Sequence, residues 1–412
     1  MTRRVSKDEI EECTKELRKH SGSWLRRPNV TAVDVGYKIR ENEITDELAI
    51  RVHVERKKQI EELKDYEKFS TTGEDDRQGS FSVDVIEGNY GPSVMVGIEA
   101  AAVNRKSRVS PLIGGISVGH PKVSAGTLGA IVWDKTDCQV AILSNWHVLC
   151  GSTTCQVGDS IYQPGVFDGG TAADEVAKLK RFQLNNHMDA AIAGLTGRRP
   201  YVRDILEFNP IAGVESPRLG MKVVKSGRTT GLTEGIIDGV NMSLSLNYGG
   251  GTVQAFTDQI HIVPRPPWPN IDYEVSKGGD SGSVWINESN NKAVGLHFAG
   301  ETTASPADEH AIANRMEKVV EEMNISFLPI FCKPTVIDPR LHDILRRILC
   351  ARYPWLCGQF PFTSVGAQSP FTLTSPGSEA LPASSPVQTA GNMMMPNIDD
   401  VIEEILNELA HS

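Results

Sequence analysis

The sequence predicts a mainly β protein, with a small α/β segment ahead of a β-rich region and a polar tail behind it. Two observations carry this. From about residue 110 to 300, short apolar runs such as 128–133, 140–143, 190–195, 221–224, 236–240, 253–256, 260–263 and 284–286 are separated by Gly, Pro, Asp and Asn, the pattern of a sandwich or of barrels. Further on, residues 363–389 are rich in Ser, Pro, Thr and Gly and bury too little apolar surface to order themselves. The expected organisation is an α/β domain over 1–105, a β domain over 106–326, and a tail over 327–412 with short helical segments.

The 412 residues are enough for two cores and tails. At 40% hydrophobic and 23% charged the chain reads as globular, and a net charge of −10 argues against nucleic acid as a partner. No apolar run is long enough for a membrane span. The basic residues near the N-terminus are not followed by an apolar stretch, so no secretory leader is expected. Seven cysteines form no dense framework, which suits a reducing compartment and a cytoplasmic home. A local Cys150–Cys155 disulfide is the alternative at that pair.

In the first hundred residues, Ser6 and Glu9 make a capping-box pattern and Ile10, Cys13 and Leu17 an apolar stripe, predicting a helix over 6–20. Val33, Val35, Tyr37 and Ile39 alternate, as do Leu48, Ile50, Val52 and Val54, across polar 41–43. That predicts a hairpin, and 81–86 a third strand. His53 reads as an ordinary strand histidine. The segment's possible roles are a folding aid, a cover over a site, or a docking platform.

The chemistry concentrates in three stretches. Residues 276–285, Ser-Lys-Gly-Gly-Asp-Ser-Gly-Ser-Val-Trp, hold Ser281 on a turn before an apolar run, and Gly279 lets its own amide and that of Ser281 face one point, where an oxyanion would form. A serine hydroxyl needs a base, and the base needs a partner that fixes its tautomer. Residues 141–149 end an apolar run in His147, and Asp189 opens another. Asp159, Asp168 and Asp174 also lie between His147 and Ser281, but in loop-like sequence, so Asp189 is preferred.

These motifs, in the order His, Asp, Ser, resemble those of the trypsin/chymotrypsin-like serine peptidases. Lys225-Ser226-Gly227-Arg228-Thr229-Thr230-Gly231 is similar to the second-barrel opening of bacterial streptogrisin-type members, and 293–300 to the strand that lines their substrate cleft. The resemblance spans about 110–326. It implies two six-stranded antiparallel barrels, with His147 and Asp189 on the first, Ser281 on the second, and a protein or peptide substrate in the groove between. It further implies a pocket with Val275 at its base and His297, Phe298, Ala299 and Gly300 along its side. Val275 disfavours basic side chains. His297 has two readings, donation to an acidic side chain or an internal hydrogen bond beside a pocket for small or apolar residues. Pro111 to Ile116 invites comparison with the terminus that zymogens expose on cleavage, here near Arg108, with Asp280 as partner of the new amine. The family's alternative is that Asp280 is satisfied without cleavage.

No His-Glu-x-x-His, Cys-x-x-Cys or calcium loop occurs, so neither metal nor cofactor is expected. A helix is predicted over 311–323, a short amphipathic one around 341–349, and a last one over 397–410. The apolar face of that last helix suits docking on its own chain, a partner protein or a second copy. The expected activity is serine endopeptidase, regulated by the flanking segments; the alternative is a trypsin-fold scaffold that no longer cleaves.

Overall fold

The computed structural model describes residues 5–40, 43–58, 63, 69, 77–78, 81–92, 104–265, 273–301 and 309–330. The chain divides into two units, 1–334 and 335–412. The second lies outside the described residues, and with it the linker over 363–389 and the segments predicted around 341–349 and 397–410.

Helix α1 (Lys7–Trp24) begins at the expected capping box: the Glu9 amide donates to Ser6 Oγ at 3.2 Å and the Ser6 amide to Glu9 Oε2 at 2.8 Å. It buries Cys13, Leu17 and Trp24 against strands β1 (Val30–Arg40), β2 (Glu43–Val54) and β3 (Phe81–Glu87). β1 and β2 form the predicted hairpin, Val33 opposite Val52 and Tyr37 opposite Leu48, and β3 runs parallel to β2. A short strand, β4 (Tyr90–Pro92), follows.

The first β-rich layer is a six-stranded sheet. It contains β5 (Ala130–Asp134), β6 (Val140–Ser144), β7 (Ser160–Tyr162), β8 (Glu175–Leu184) and β9 (Asp189–Leu195) in the order β7-β8-β9-β6-β5. Short pieces curl it round. Gly119 bridges to Tyr162, and the Gly129 amide donates to the Leu143 carbonyl.

The second layer contains β10 (Lys222–Gly227), β11 (Gly231–Asn247), β12 (Val253–Pro264), β13 (Val284–Asn287), β14 (Lys292–Glu301) and β15 (Ala311–Arg315). The order β10-β13-β14-β15-β12-β11 closes on itself through β10 and β11, a six-stranded barrel as expected. After β15 come helix α3 (Met316–Glu322) and β16 (Ile325–Ser326), which adds to the edge of β5. Helix α2 (Trp146–Leu149) follows β6 and carries His147. The helix predicted over 311–323 is therefore half strand. Ala311, Ile312 and Ala313 are buried between β12 and β14, and that pairing outweighs local helical preference.

The N-terminal segment has the α/β make-up read from its sequence, but it is joined to the second barrel by a shared sheet. β1 pairs antiparallel with β11, Ala32 opposite Leu244 and Val35 opposite Val240. Beneath this pairing lies a buried polar network. Arg51 spans Asp34 (2.6 and 2.7 Å) and Asp238 (2.7 Å), His261 Nδ1 meets Asp238 at 2.6 Å and His261 Nε2 meets His310 at 2.8 Å. Gly239 is required here, because a Cβ would collide with Asp34 and the Arg51 guanidinium. His53, read as ordinary, joins the same network through Asp34, 3.4 Å from its Nε2, while its Nδ1 meets the Tyr90 hydroxyl at 2.5 Å.

Burial, opposed by Asp34, pushes the His53 imidazole below its usual value, and burial followed by His261 pushes His310 well below it. Both stay neutral while folded, so the unfolded chain binds more protons once the pH drops under the ordinary histidine value of 6.5. Their contribution is complete above that pH and is lost as the pH falls below it. Urea midpoints followed by tryptophan fluorescence are expected to hold steady above pH about 6.5 and to decline below it; a flat profile down to pH about 5 contradicts this account.

Candidate active site

His147 and Asp189 meet within the first layer. β6 ends at Ser144, Asn145 starts α2, and the first turn presents His147, while β9, paired with β6, opens with Asp189. His147 Nδ1 lies 2.5 Å from Asp189 Oδ2, and the His147 amide donates to Asp189 Oδ1 at 3.2 Å. The backbone of Asp189 is held as well: Asn145 Nδ2 donates to its carbonyl at 2.7 Å, and its amide donates to Asn314 Oδ1 at 3.1 Å. The carboxylate is fully buried. His147 Nε2 is buried and makes no hydrogen bond among the described residues.

The rejected acids lie elsewhere. Asp168 pairs with Arg228, Asp159 faces His120 at 3.2 Å, and Asp174 caps a turn at Thr171.

Ser281 arrives from the second layer, on the turn that leads into β13. Gly279 has φ 96° and Gly282 φ 94°, conformations that favour glycine. At Gly282 space also decides, since a Cβ would strike Ser144 Oγ and the Thr127 carbonyl. Among the described residues nothing accepts from the Gly279 amide. The turn is tied across the two layers by Thr127. Its amide donates to the Ser281 carbonyl at 2.7 Å, its hydroxyl donates to the Gly279 carbonyl at 2.9 Å, and its own carbonyl accepts from Ser144 Oγ at 2.7 Å. Ser144 stands three residues before His147. Thr127 thus fastens the serine turn to the strand that carries the histidine, and no feature of the sequence singled it out.

Asp280 is satisfied without a new N-terminus. Its carboxylate faces Lys225 Nζ at 3.0 Å and accepts from Thr230 Oγ1 at 2.6 Å and from the amides of Lys277, Thr229 and Thr230. Burial raises its pKa, but the Lys225 ammonium and the Thr230 hydroxyl outweigh burial and hold it at about 2. Leu112–Gly114 is itself a strand, paired with Tyr201–Ile205. In the intact chain Lys225 occupies the side of Asp280 that a freed amine would take, which fits the alternative in which Asp280 is satisfied without cleavage.

The residues expected to form the substrate pocket are all buried. Val275 packs in a core cluster with Ile237 and Trp285, and its carbonyl accepts from Thr233 Oγ1 at 2.9 Å. The His297 amide donates to Ser283, and its carbonyl accepts from Gly282. Burial first, then Lys225, pushes the His297 imidazole down to about 3, so it is neutral across the usual pH range. The Phe298 ring lies tilted against Phe256, with centroids 4.9 Å apart. Ala299 and Gly300 pair with Pro92 and Gly91 of β4, so the cleft-lining strand already carries a strand from the N-terminal segment. Beside His147 a cavity of about 180 Å³ is bounded by Pro92, Lys122, Trp146, Asn247 and Tyr248.

Cys150 and Cys155, just after α2, form a disulfide, and Cys138 is disulfide-bonded as well. For Cys150 and Cys155 this is the local bridge that the sequence left as the alternative; Cys13 is a free, buried thiol. No helix among the described residues is long and apolar enough to cross a membrane, and no group of three or more His, Cys, Asp or Glu among them is placed to hold a metal.

No protein-family model matches the chain, and no curated protein sequence matches it. Similar solved structures include a Nocardiopsis protease (16% identity over 52% of this chain and 97% of that one, TM-score 0.39). Protease A of Thermobifida fusca is 17% identical over 52% and 96%, with a TM-score of 0.38. A glutamic acid-specific serine protease described as using a histidine triad in substrate binding is 18% identical over 52% and 99%, with a TM-score of 0.40.

Two substitutions test how the turn is held. Lys225→Met strands the buried Asp280 charge and is expected to cost about 3–5 kcal/mol in chemical denaturation. Thr127→Val removes both hydroxyl bonds and leaves the Gly279 carbonyl and the Arg228 amide without their partner, at an expected cost of about 1–3 kcal/mol. A loss within 0.5 kcal/mol in either variant, about the size of a surface change, contradicts the assigned role.

Proposed function

We propose that the protein is a serine endopeptidase acting on protein or peptide substrates. In this reading Ser281 attacks the scissile carbonyl, His147 takes its proton through Nε2 and returns it to the leaving amine, and Asp189 holds the imidazole in the tautomer with the proton on Nδ1. The amides of Gly279 and Ser281 receive the oxyanion. The observation that carries the reading is the 2.5 Å contact of Asp189 with His147 Nδ1, which leaves Nε2 as the nitrogen to take a proton, while Thr127 ties the serine turn to the strand that leads into His147. No step calls on a cofactor.

Regulation by the flanking segment follows from β4. An extended substrate would add as a strand along the free edge of β14, and Tyr90, Gly91 and Pro92 already lie opposite Glu301, Gly300 and Ala299 there. His147 is 4% exposed and Ser281 1%, too little for a peptide bond to reach them. We read this form as a closed one, with the N-terminal segment proposed as its cover. This same closure favours the second reading, a silent scaffold. A pocket based on Val275 suits small or apolar side chains, and a neutral His297 retains one N–H to offer a carboxylate. The segment 397–410, for which the sequence predicts a helix, is proposed to dock a partner protein or a second copy. A cytoplasmic home, expected from the sequence, is weakened by the Cys150–Cys155 bridge, because such bonds persist in oxidising compartments.

A fluorophosphonate probe separates enzyme from scaffold. Labelling of the full chain that disappears in Ser281→Ala supports the peptidase, and absence of labelling in every form supports the scaffold. Gly91→Pro, which removes an N–H from β4 and fits poorly within a strand, is expected to speed labelling about tenfold or more if β4 is the cover. An unchanged or lower rate rejects that role.

A further inference from the structure

Asp189 Oδ2 accepts two hydrogen bonds. One comes from His147; the other is the Tyr248 hydroxyl at 2.7 Å. Tyr248 stands at the tip of the β11–β12 hairpin, in the second barrel, where its amide donates to Thr252 and Gly249, Gly250 and Gly251 all take positive φ. Its ring crosses the seam between the barrels, edge-on to Trp146 with centroids 5.9 Å apart and tilted 5.8 Å from His147. We propose that Tyr248 is a positioning residue for the Asp189–His147 pair, acting through its hydroxyl; this rests on the peptidase reading above.

The chemistry follows from the shared oxygen. His147 engages both carboxylate oxygens, its amide on Oδ1 and Nδ1 on Oδ2; Tyr248 adds a second donor on Oδ2 from the other layer, which holds the carboxylate plane independently of the imidazole. The hydroxyl also draws negative charge from the oxygen that faces Nδ1, which tempers the stabilisation of the imidazolium. Burial, then the Asp189 charge, raises the Tyr248 phenol well above its usual value, so it remains a donor. The other groups facing the pair leave this hydroxyl as the donor to Oδ2. Asn145 and Asn314 are neutral and bind the Asp189 backbone, and Phe298 on β14 has no donor. His297 is held neutral by burial, and Lys122 lies across the cavity. The hairpin that presents Tyr248 is buttressed by β1 along residues 240–244, so the N-terminal segment supports the pair from outside the site.

Tyr248→Phe keeps the ring and removes the donor. With more charge left on Oδ2, the imidazolium is favoured, and the acidic limb of the pH profile for fluorophosphonate labelling is expected to move to higher pH, with a rate about tenfold lower at neutral pH. The downfield proton resonance of His147 Nδ1, identified by its absence in His147→Gln, reads the same contact without catalysis and is expected to shift. If Tyr248→Phe leaves both the resonance and the profile unchanged while Tyr248→Leu alters them, the ring acts by packing alone and the proposal is overturned. A shifted resonance in a protein that no probe labels upholds the Tyr248 contact and overturns the peptidase reading, so the two failures are told apart.

Discussion

The constraint on which the site depends is the fastening of the serine turn to the histidine-bearing layer, where Thr127 bonds to both. Thr127 offers its amide, hydroxyl and carbonyl to three partners, two on the serine turn and one, Ser144, at the end of the strand that leads into α2 and His147. Each barrel is internally rigid through its own ladder, so relative placement is decided at the seam. A hydroxyl and two backbone groups achieve it with little freedom to slip, because Gly282 brings the backbones too close for any side chain to intervene. Ordering the three groups ahead of reaction is what electrostatic stabilisation of a developing charge requires.

Much of this was legible in the sequence, and what was not has a common cause. His147 follows one apolar run and Asp189 opens another, so strand ends could be read locally and the two side chains do meet. The capping box at Ser6 and the alternation in β1 and β2 are local signals of the same kind. Thr127 and Tyr248 act across separations of tens to more than a hundred residues, and a lone Thr or Tyr carries no pattern that marks it; Lys225 stood in a recognised motif, but its pairing with Asp280, 55 residues away, was not legible. His53 looked ordinary for the same reason, its partners being Tyr90 and Asp34. Residues 311–315 were misread because Ala-Ile-Ala suits either element, and flanking strands decided between them. The link of β1 to β11 was invisible too, since an edge strand's partner is chosen by geometry rather than by its own residues.

Two buried charge clusters divide the labour differently. Lys225 and Asp280 sit under the serine turn and fix its shape, whereas Arg51, with Asp34 and Asp238, lies beneath the sheet that joins the N-terminal segment to the second barrel. Desolvating such groups is costly, and apolar packing of equal volume often does as well for stability. Their directional bonds admit one register, and for a hairpin that must deliver its tip to a particular carboxylate, register matters more than net stabilisation. The disulfide after α2 adds a covalent restraint on the histidine side of the same seam.

The sharing of β11 between barrel and N-terminal ribbon has a consequence for any processed form. Were residues 30–40 ever stripped away, the outer rim of β11 near 239–244 would be left with bare amides and carbonyls, a raw template inviting extension by a foreign strand. Maturation by simple loss of the ribbon would thus trade one neighbour for another, and swapping ribbons between molecules, each capping the other's rim, offers a route to paired chains without any new surface.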